Sequence, residues 1–395
     1  MVEIKLKKGK EKAVYQRHPW VFSGALDKVK GKPENGDVVK VLDAQGEFLA
    51  YGYYNDQSRV AIRLVEWDES VGIDEAWYAQ KINTAIDGRA HLLANEETTA
   101  CRLIFSEADF LPGLIVDRYA DFLSVQILSS GIEKAKETII KVLVERLKPK
   151  GIFDRSDATA RTHEGITAEN GLLWGENPAE FIEVKENGIK YHINIAEGQK
   201  SGFYCDQRDN RSILASYSKG KTVLDCFSYS GGFSLNAFAQ GAAEVTSVDS
   251  SALAIETLKQ NIALNQFEAS KHIAIQSDVN KQLRQFNDED KKFDVVVLDP
   301  PKYAPSRSAL DRAARAYKDL NRRGLMLLES GGLLATFSCS GAVDIETFKQ
   351  IIAWAALDAG KEVQIIKQFC QPEDHPVRLS FPEGEYLKGL LLRVV

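Results

Sequence analysis

Strands and helices alternate through the second half of the chain, and no other feature constrains the fold as strongly. Six apolar runs rich in β-branched residues follow residue 186, beginning with TVLDCF and EVTSVD, and helical stretches separate them. This order predicts an open, mostly parallel sheet with helices on both faces. The final run, YLKGLLLRVV, follows its predecessor without room for a helix, so we expect it to pair antiparallel as the seventh strand.

The first half of the chain has different patterns. Residues 1–73 carry short alternating runs between Gly and Asn turns, which are typical of a small β barrel or sandwich. Residues 74–185 mix amphipathic helices with strands. We therefore predict a multidomain α/β protein with three domains, at residues 1–73, 74–185 and 186–395.

Charge is distributed unevenly along the chain. The formal net charge is −6, yet residues 1–40 hold ten basic and five acidic side chains. A basic segment on an acidic protein indicates a polyanion contact, for which Arg17, Lys28 and Lys30 are candidates; a solvated, lysine-rich terminus is the alternative. Because the sequence shows neither an apolar run of membrane-spanning length nor a secretory signal, we expect a cytoplasmic protein without a membrane partner.

Acidic residues stand where successive strands of the predicted sheet end, which is the edge at which such sheets bind ligands. The first run contains Asp225 and leads into a turn whose glycines, Gly231 and Gly232, let the backbone approach a ligand closely. The second run ends in Asp249, which suits ribose hydroxyls, and the third ends in Asp278, which suits the amino group of adenine. An adenosine moiety is the ligand that accounts for all three acids.

The glycine pattern discriminates between adenosine-containing cofactors. Neither the G-x-G-x-x-G loop of dinucleotide sites nor the G-x-x-x-x-G-K-[ST] loop of phosphate sites is present. S-adenosylmethionine (SAM) contains no phosphate and is the predicted cofactor. The candidate cofactor-binding residues are Asp225, Phe227, Ser228, Gly231, Gly232, Phe233, Asp249, Ser250, Asp278, Val279 and Asp299.

A rigid acidic motif follows the fourth run, in which Asp299 precedes Pro300, Pro301, Lys302 and Tyr303. Two consecutive prolines hold the backbone extended and remove two donors, so that Asp299 can be presented to a planar base. Amino-group methyltransferases commonly place an aromatic residue directly after the two prolines. Lys302 occupies that position here, which weakens methylation of an exocyclic nitrogen without excluding it.

A thiol follows the fifth run. Cys339 lies between two serines at the carboxyl end of a predicted central strand, where it would share a cleft with Asp299; a packing role is the alternative. The five cysteines are widely spaced without a CxxC pair, so neither a disulfide framework nor a metal site is predicted. Carbon 5 of cytosine becomes nucleophilic once a thiolate has added to carbon 6. We hypothesise that Cys339 makes this addition, that Asp299 stabilises the adduct and that Lys302 favours the thiolate.

Eight motifs are spread along nearly the whole chain. They are HPWVFSGA at 18–25, LPGLIVDRY at 111–119, SGFYCDQRDNR at 201–211, CFSYSGGFS at 226–234, DPPKY at 299–303, TFSCSG at 336–341, and DHPV at 374–377 with GEYLKG at 384–389. Together they resemble the bacterial ribosomal RNA large subunit methyltransferase I family. The resemblance implies an N-terminal PUA domain, which is a small RNA-binding β fold, then a central α/β domain and a C-terminal class I SAM methyltransferase domain. It also implies 5-methylcytidine formation in 23S rRNA or a large-subunit intermediate, with Cys339 as nucleophile.

The same resemblance places Lys200, Phe203, Gln207 and Arg208 at the border of the cofactor or RNA entrance. Arg208 and Arg211 could equally be a pair of residues that make structural salt bridges at the start of a helix. Two other functions stay open: methylation of an exocyclic nitrogen in rRNA, and a non-catalytic RNA-binding role in ribosome assembly. Exposed strand edges in the N-terminal domain permit a homodimer.

Overall fold

The chain forms two compact units, which we call unit 1 and unit 2. The computed structural model describes residues 1–167, 170–198, 202–304 and 306–395. Unit 1 comprises Met1–Lys185, Ile193–Cys205 and Asp374–Gly384, and unit 2 comprises Glu186–His192, Asp206–Glu373 and Glu385–Val395. Within the described ranges, no helix combines the length and the apolar character that crossing a membrane requires. The division into three domains stays a prediction.

A six-stranded sheet begins unit 1. Its strands are β1 (Val2–Leu6), β2 (Trp20–Phe22), β3 (Leu26–Lys30), β4 (Val38–Leu42), β5 (Phe48–Tyr54) and β6 (Val60–Glu66), and helix α1 (Lys12–Tyr15) follows β1. The order is β2-β6-β5-β4-β1-β3, in which β1 and β4 are parallel. Alternation of apolar residues explains these strands, because Ile4, Val39 and Ile62 are fully buried in one core.

A five-stranded sheet with helices follows in unit 1. The strands β7 (Ala100–Phe105), β8 (Leu114–Tyr119), β9 (Phe122–Ile127), β10 (Gly151–Asp154) and β11 (Gly171–Gly175) are ordered β11-β10-β9-β8-β7. The helices are α2 (Glu75–Asp87), α3 (Ala90–Leu93), α4 (Ser130–Lys134), α5 (Lys136–Leu147) and α6 (Ala158–His163). Helix α5 ends where Lys148 adopts a left-handed φ of 48°, directly before a proline that cannot continue the helix. Strands β12 (Ile182–Glu186) and β13 (Ile189–Ile193) form a two-stranded sheet.

Unit 2 contains the predicted seven-stranded sheet. Its strands are β14 (Thr222–Cys226), β15 (Glu244–Asp249), β16 (His272–Gln276), β17 (Phe293–Leu298), β18 (Leu328–Ser338), β19 (Val363–Phe369) and β20 (Lys388–Val394). Their order is β16-β15-β14-β17-β18-β20-β19. The first five strands are parallel, and β20 lies antiparallel between β18 and β19, which confirms the expectation for the last strand.

Apolar cores cover both faces of this sheet. The helices of unit 2 are α7 (Arg208–Ala215), α8 (Gly232–Ala239), α9 (Ala252–Leu264), α10 (Val279–Asp288), α11 (Leu310–Met326) and α12 (Ile345–Asp358). Leu224 and Cys226 of β14 join one core with α10, α11 and α12, whereas Val223 joins another with α7 and α8. Since successive side chains of a strand point to opposite faces, Asp225 lies on the face that α8 covers.

Candidate functional site

The carboxyl edge of the seven-stranded sheet brings predicted cofactor residues together. β14 and β17 are neighbours, but the chain leaves them toward opposite sides of the sheet, so that a crevice forms beyond their carboxyl ends. Cys226 of β14 pairs with Leu298 of β17, the residue before Asp299. The turn after β14 and the motif after β17 therefore start at the same level of the sheet.

Asp225 is a buried acid at this edge, only 1% exposed. Its Oδ2 accepts hydrogen bonds from the backbone N of Ser234 (3.0 Å) and from the Ser234 hydroxyl (2.6 Å). Burial raises the pKa of Asp225 to about 7; the Ser234 hydrogen bonds oppose this shift, and the charges of Asp299 and Asp249 add to it. Its Oδ1 has no hydrogen-bond partner among the described residues. A cationic donor would satisfy this oxygen and offset the cost of its burial.

The turn after β14 requires left-handed backbone. Phe227, Tyr229 and Gly231 have φ angles of 62°, 46° and 91°. A Cβ atom at Gly231 would lie 2.4 Å from Cδ1 of Leu235, so a side chain does not fit there. Helix α8 begins at Gly232, and its first backbone N–H groups face the end of β14.

Two buried hydroxyls in the same turn lack hydrogen-bond partners within the described part of the chain, those of Ser228 and Ser230. Such groups bind a polar ligand readily, because a buried hydroxyl without a partner is costly. The other predicted residues near this turn, Phe233 and Val279, are buried in the two apolar cores.

Asp249 is the last residue of β15, as the sequence predicts. Its Oδ2 accepts a hydrogen bond from the backbone N of Tyr229 (3.0 Å), and its Oδ1 accepts one from the backbone N of Ser251 (2.9 Å). These bonds join the end of β15 to the turn after β14. Ser250, the next residue, is exposed.

Asp278 lies beyond the end of its strand, because β16 stops two residues earlier than the expectation. It is exposed, and its Oδ1 caps helix α10 by accepting a hydrogen bond from the backbone N of Lys281 (2.8 Å). Contact with adenine stays a prediction for this residue.

Asp299 directly follows β17 and is partly buried. Its Oδ2 accepts a hydrogen bond of 3.0 Å from Nε2 of Gln207, which is 2% exposed. Gln207 is itself held by Asn210, whose Nδ2 donates to its Oε1 at 2.7 Å. The carboxylate of Asp299 is thus positioned by a buried amide. Pro300 is buried, whereas Pro301 is exposed.

Cys339 directly follows β18 and is partly exposed. The hydroxyl of Ser338 donates to that of Tyr317 (3.0 Å), which lies 3.1 Å from the hydroxyl of Ser340. Ser340 Oγ also accepts a hydrogen bond from the backbone N of Ala304 (3.1 Å). Tyr317, on α11, therefore holds both neighbours of the thiol, and Ser340 ties this turn to the loop after β17. Tyr317 is not predicted as a site residue, because in the sequence it looks like any other residue of an amphipathic helix.

A buried lysine stands beside the thiol; it belongs to the GEYLKG motif, but no role is predicted for it from the sequence. Lys388, the first residue of β20, pairs with Ser338 of β18. It is 6% exposed, and its Nζ donates to the carbonyl oxygen of Ser340 at 3.1 Å. Burial lowers the pKa of Lys388, and the charge of Cys339 opposes that shift. Lys302, the predicted cationic neighbour of the thiol, is exposed.

The residues assigned to the entrance by resemblance have different positions. Gln207 contacts Asp299, as described above, and Arg208 is buried at the start of α7. Phe203 is buried in unit 1, at 3% exposure, and Lys200 lies outside the described residues.

Arg208 and Arg211 both form ion pairs near the start of α7, which is the arrangement that the alternative describes. Arg208 Nε lies 3.3 Å from Oδ1 of Asp209. The guanidinium of Arg211 makes a buried ion pair with Glu186, through contacts of 2.7 and 2.5 Å. Its side chain also packs behind Gly232, because a Cβ atom there would lie 2.9 Å from Cδ of Arg211. Arg211 thus supports the start of α8 from behind.

The predicted basic residues of the N-terminal sheet are exposed. Lys28 and Lys30 lie on the edge strand β3, where Lys30 Nζ donates to Glu3 at 3.1 Å. The Arg17 guanidinium lies 5.4 Å from the ring centre of Trp67, a cation–π contact. Across the described ranges, no group of three or more His, Cys, Asp or Glu residues is arranged to hold a metal.

Comparison with known proteins identifies relatives of the same length. Residues 4–67 match the family described as PUA-like domain, and residues 210–335 match the family described as Conserved hypothetical protein 95. Over 394 residues, the chain is 45% identical to the ribosomal RNA large subunit methyltransferase I of Shewanella denitrificans, with 100% of this chain and 99% of that protein covered. The protein of the same name from Aliivibrio fischeri is 44% identical over 394 residues, with 100% of both chains covered.

Solved structures share the fold over the full length. A chain from Streptococcus mutans that is assigned to the SAM-dependent methyltransferases superposes with a TM-score of 0.86 at 21% identity, covering 100% of both chains. A second chain, assigned to the methyltransferases and crystallised with SAH, gives a TM-score of 0.88 at 22% identity with the same coverage. These two likenesses bear on the fold, and they confirm the predicted multidomain architecture. On the strength of its full-length relatives, the chain belongs to the ribosomal RNA large subunit methyltransferase I family.

Proposed function

We propose that this chain is a SAM-dependent methyltransferase that forms 5-methylcytidine in 23S rRNA, with Cys339 as nucleophile. One observation carries the proposal: a partly exposed thiol follows β18, and an acid held by a buried amide, Asp299, follows the neighbouring parallel strand β17. The relatives that match its full length are named for methylation of large-subunit ribosomal RNA, which supports the substrate.

The cofactor proposal rests on unsatisfied polar groups and on charge. SAM, when bound, supplies an electrophilic methyl group on a positively charged sulfur. Asp225 Oδ1 can accept a hydrogen bond from its amino group, and the Ser228 and Ser230 hydroxyls can donate to its carboxylate. Asp249 can accept hydrogen bonds from the ribose hydroxyls, and Asp278 can accept one from the amino group of adenine. The mutual influence of Asp225, Asp249 and Asp299 creates a negative potential that favours a cation.

The catalytic proposal assigns one step to each of two residues. The thiolate of Cys339 forms a bond with carbon 6 of cytosine, and the electron pair of the 5,6 double bond moves to carbon 5. Asp299 stabilises this adduct through a hydrogen bond at N3 or N4 of the base. Carbon 5 then takes the methyl group of SAM while the bond between that methyl and the sulfonium sulfur breaks, so that S-adenosylhomocysteine leaves. A solvent or protein base removes the proton of carbon 5, and the electron pair of that bond restores the 5,6 double bond and expels the thiolate from carbon 6. The enzyme is thereby returned unchanged.

Carbon 5 is favoured over an exocyclic nitrogen by the surroundings of Tyr303. Its ring packs against that of Tyr317, with 4.9 Å between ring centroids, and burial raises the pKa of Tyr303 to about 12. This contact holds Tyr303 against Tyr317 of α11, and Tyr303 stands one residue further from the prolines than the stacking position. Lys302, directly after the prolines, has no aromatic ring that could stack on a base.

Nucleoside analysis of 23S rRNA tests the proposal. A strain lacking the gene is complemented with the wild type, with Cys339→Ala, or with Cys370→Ala, which removes an exposed thiol of the same unit. We expect 5-methylcytidine with the wild type and Cys370→Ala, and none with Cys339→Ala. Restored 5-methylcytidine in the Cys339→Ala strain would contradict the covalent mechanism. A methyl group found on nitrogen would contradict carbon 5 as the methylated atom. SAM binding without any methyl transfer would support the non-catalytic assembly role.

A further inference from the structure

A buried amine stands next to the thiol, and the catalytic steps above leave it unused. We propose that Lys388 is a positioning residue that favours the thiolate form of Cys339. This inference rests on the proposed role of Cys339 as nucleophile, and it concerns how the chain prepares that nucleophile before any substrate binds.

The antiparallel pairing of β18 and β20 supplies the geometry. It places Lys388 directly across from Ser338, while Lys388 Nζ donates to the carbonyl oxygen of Ser340 at 3.1 Å. Ser338 and Ser340 are the two residues that flank Cys339, so the amine is anchored to the turn that carries the thiol. An ammonium group has three donors, and this carbonyl accepts one of them.

The chemistry explains why a cation is useful there. A free cysteine has a pKa of about 8.5, so only a few per cent is thiolate at neutral pH, and a neighbouring cation increases that fraction. The structure couples the two groups, because the charge of Cys339 opposes the effect of burial on the pKa of Lys388. Thiolate and ammonium therefore stabilise each other within a largely dry turn.

Four other titratable groups face this pair from the elements packed around it. Tyr317 on α11 stays neutral near pH 7, since burial raises its pKa. Asp344 before α12 and Glu385 before β20 contribute negative charge, and Lys302 after β17 contributes positive charge. All three of these charged groups are exposed, so solvent screens them. Among the groups named, Lys388 alone is both basic and buried.

Alkylation of Cys339 as a function of pH tests the inference. The full chain is treated with iodoacetamide from pH 5 to 10, and modification of the Cys339 peptide is followed by mass spectrometry. For the wild type we expect a midpoint below the ordinary value of about 8.5. Lys388→Met should raise this midpoint by about one pH unit or more and lower methyl transfer at pH 7 by about tenfold or more. Lys388→Arg should retain most of the low alkylation midpoint and most of the methyl transfer, because it keeps the positive charge.

The control is Lys349→Met, which removes a lysine of α12 that pairs with Glu346. It should change neither the midpoint nor methyl transfer. An unchanged midpoint in folded Lys388→Met overturns the inference. If Lys388→Met does not fold, the comparison of Lys388→Gln with Lys388→Arg decides, because the former loses the charge. Alkylation requires neither SAM nor RNA, so its outcome is independent of the proposed function. Failure of the proposed function would appear instead as methyl transfer by the Cys339→Ala variant.

Discussion

The carboxyl edge of the sheet in unit 2 has two halves of opposite character. At the ends of β14 and β15 lie the carboxyls of Asp225 and Asp249. Asp225 accepts a hydrogen bond from the first turn of α8, and Asp249 accepts bonds from the turn after β14 and from Ser251. Beyond β18 and at the start of β20 lie a thiol and a buried amine, those of Cys339 and Lys388. The first, which we call the carboxylate half, suits a cationic ligand. The second, which we call the thiol half, suits the formation of a nucleophile. Under the proposed function, cofactor binding and bond formation are separated along one edge, and substitutions should separate them too.

Loss of the thiol should have the largest effect on methyl transfer. We expect Cys339→Ala to lower the rate of methyl transfer by about 1,000-fold or more, because covalent activation of the base is lost. The affinity for SAM, measured by calorimetry, should stay within about twofold of the wild-type value, because the carboxylate half is intact. A parallel loss of SAM affinity would show that the two halves act as one site.

Substitution in the other half should have the inverse signature. We expect Asp249→Ala to weaken SAM binding by about 10- to 100-fold, since a hydrogen bond to a charged group contributes about 1.5–3 kcal/mol. Turnover at saturating SAM should change by less than about threefold. Asp311→Ala, at an exposed position of α11, serves as the matched control. A large fall in turnover with unchanged SAM affinity would contradict the comparison.

Asp225 should give the carboxylate half a pH response. Its pKa of about 7 in the folded state lies above the ordinary value of 3.8, so the folded protein binds more protons between these values. The stability that Asp225 contributes is therefore present below the lower value and declines as the pH rises toward 7, by up to about 1.4 kcal/mol per pH unit. Urea unfolding between pH 5 and 8 should show a shallower decline for Asp225→Asn. Equal slopes would exclude Asp225 as the cause.

The hydroxyl bridge in the thiol half should give the smallest effect. Tyr317→Phe removes the oxygen that joins Ser338 to Ser340, and we expect a loss of about 1–2 kcal/mol in the free energy of unfolding. Methyl transfer should fall by a few-fold only, because the thiol and the amine are retained. Tyr217→Phe, at an exposed tyrosine, makes the same chemical change outside the site and should alter neither quantity.

The sequence predicted the two halves unequally, for a physical reason. Asp249 could be placed because a short buried run with β-branched residues defines β15 to its last residue, and the parallel strands align their carboxyl ends. Asp278 was predicted as a strand end, but local capping of α10 takes precedence and turns the chain earlier. Lys388 could not be identified, since its position depends on the register of β20 against β18, which local sequence does not encode.

The central position of β20 has a consequence for folding. β20 is the last strand of this sheet in chain order, yet it fills the gap between β18 and β19, so β18 has no partner on that side until β20 has paired. Until then, the turn that carries Cys339 also lacks the lysine that anchors it. The proposed pair of thiol and amine therefore exists only while the centre of this sheet is intact.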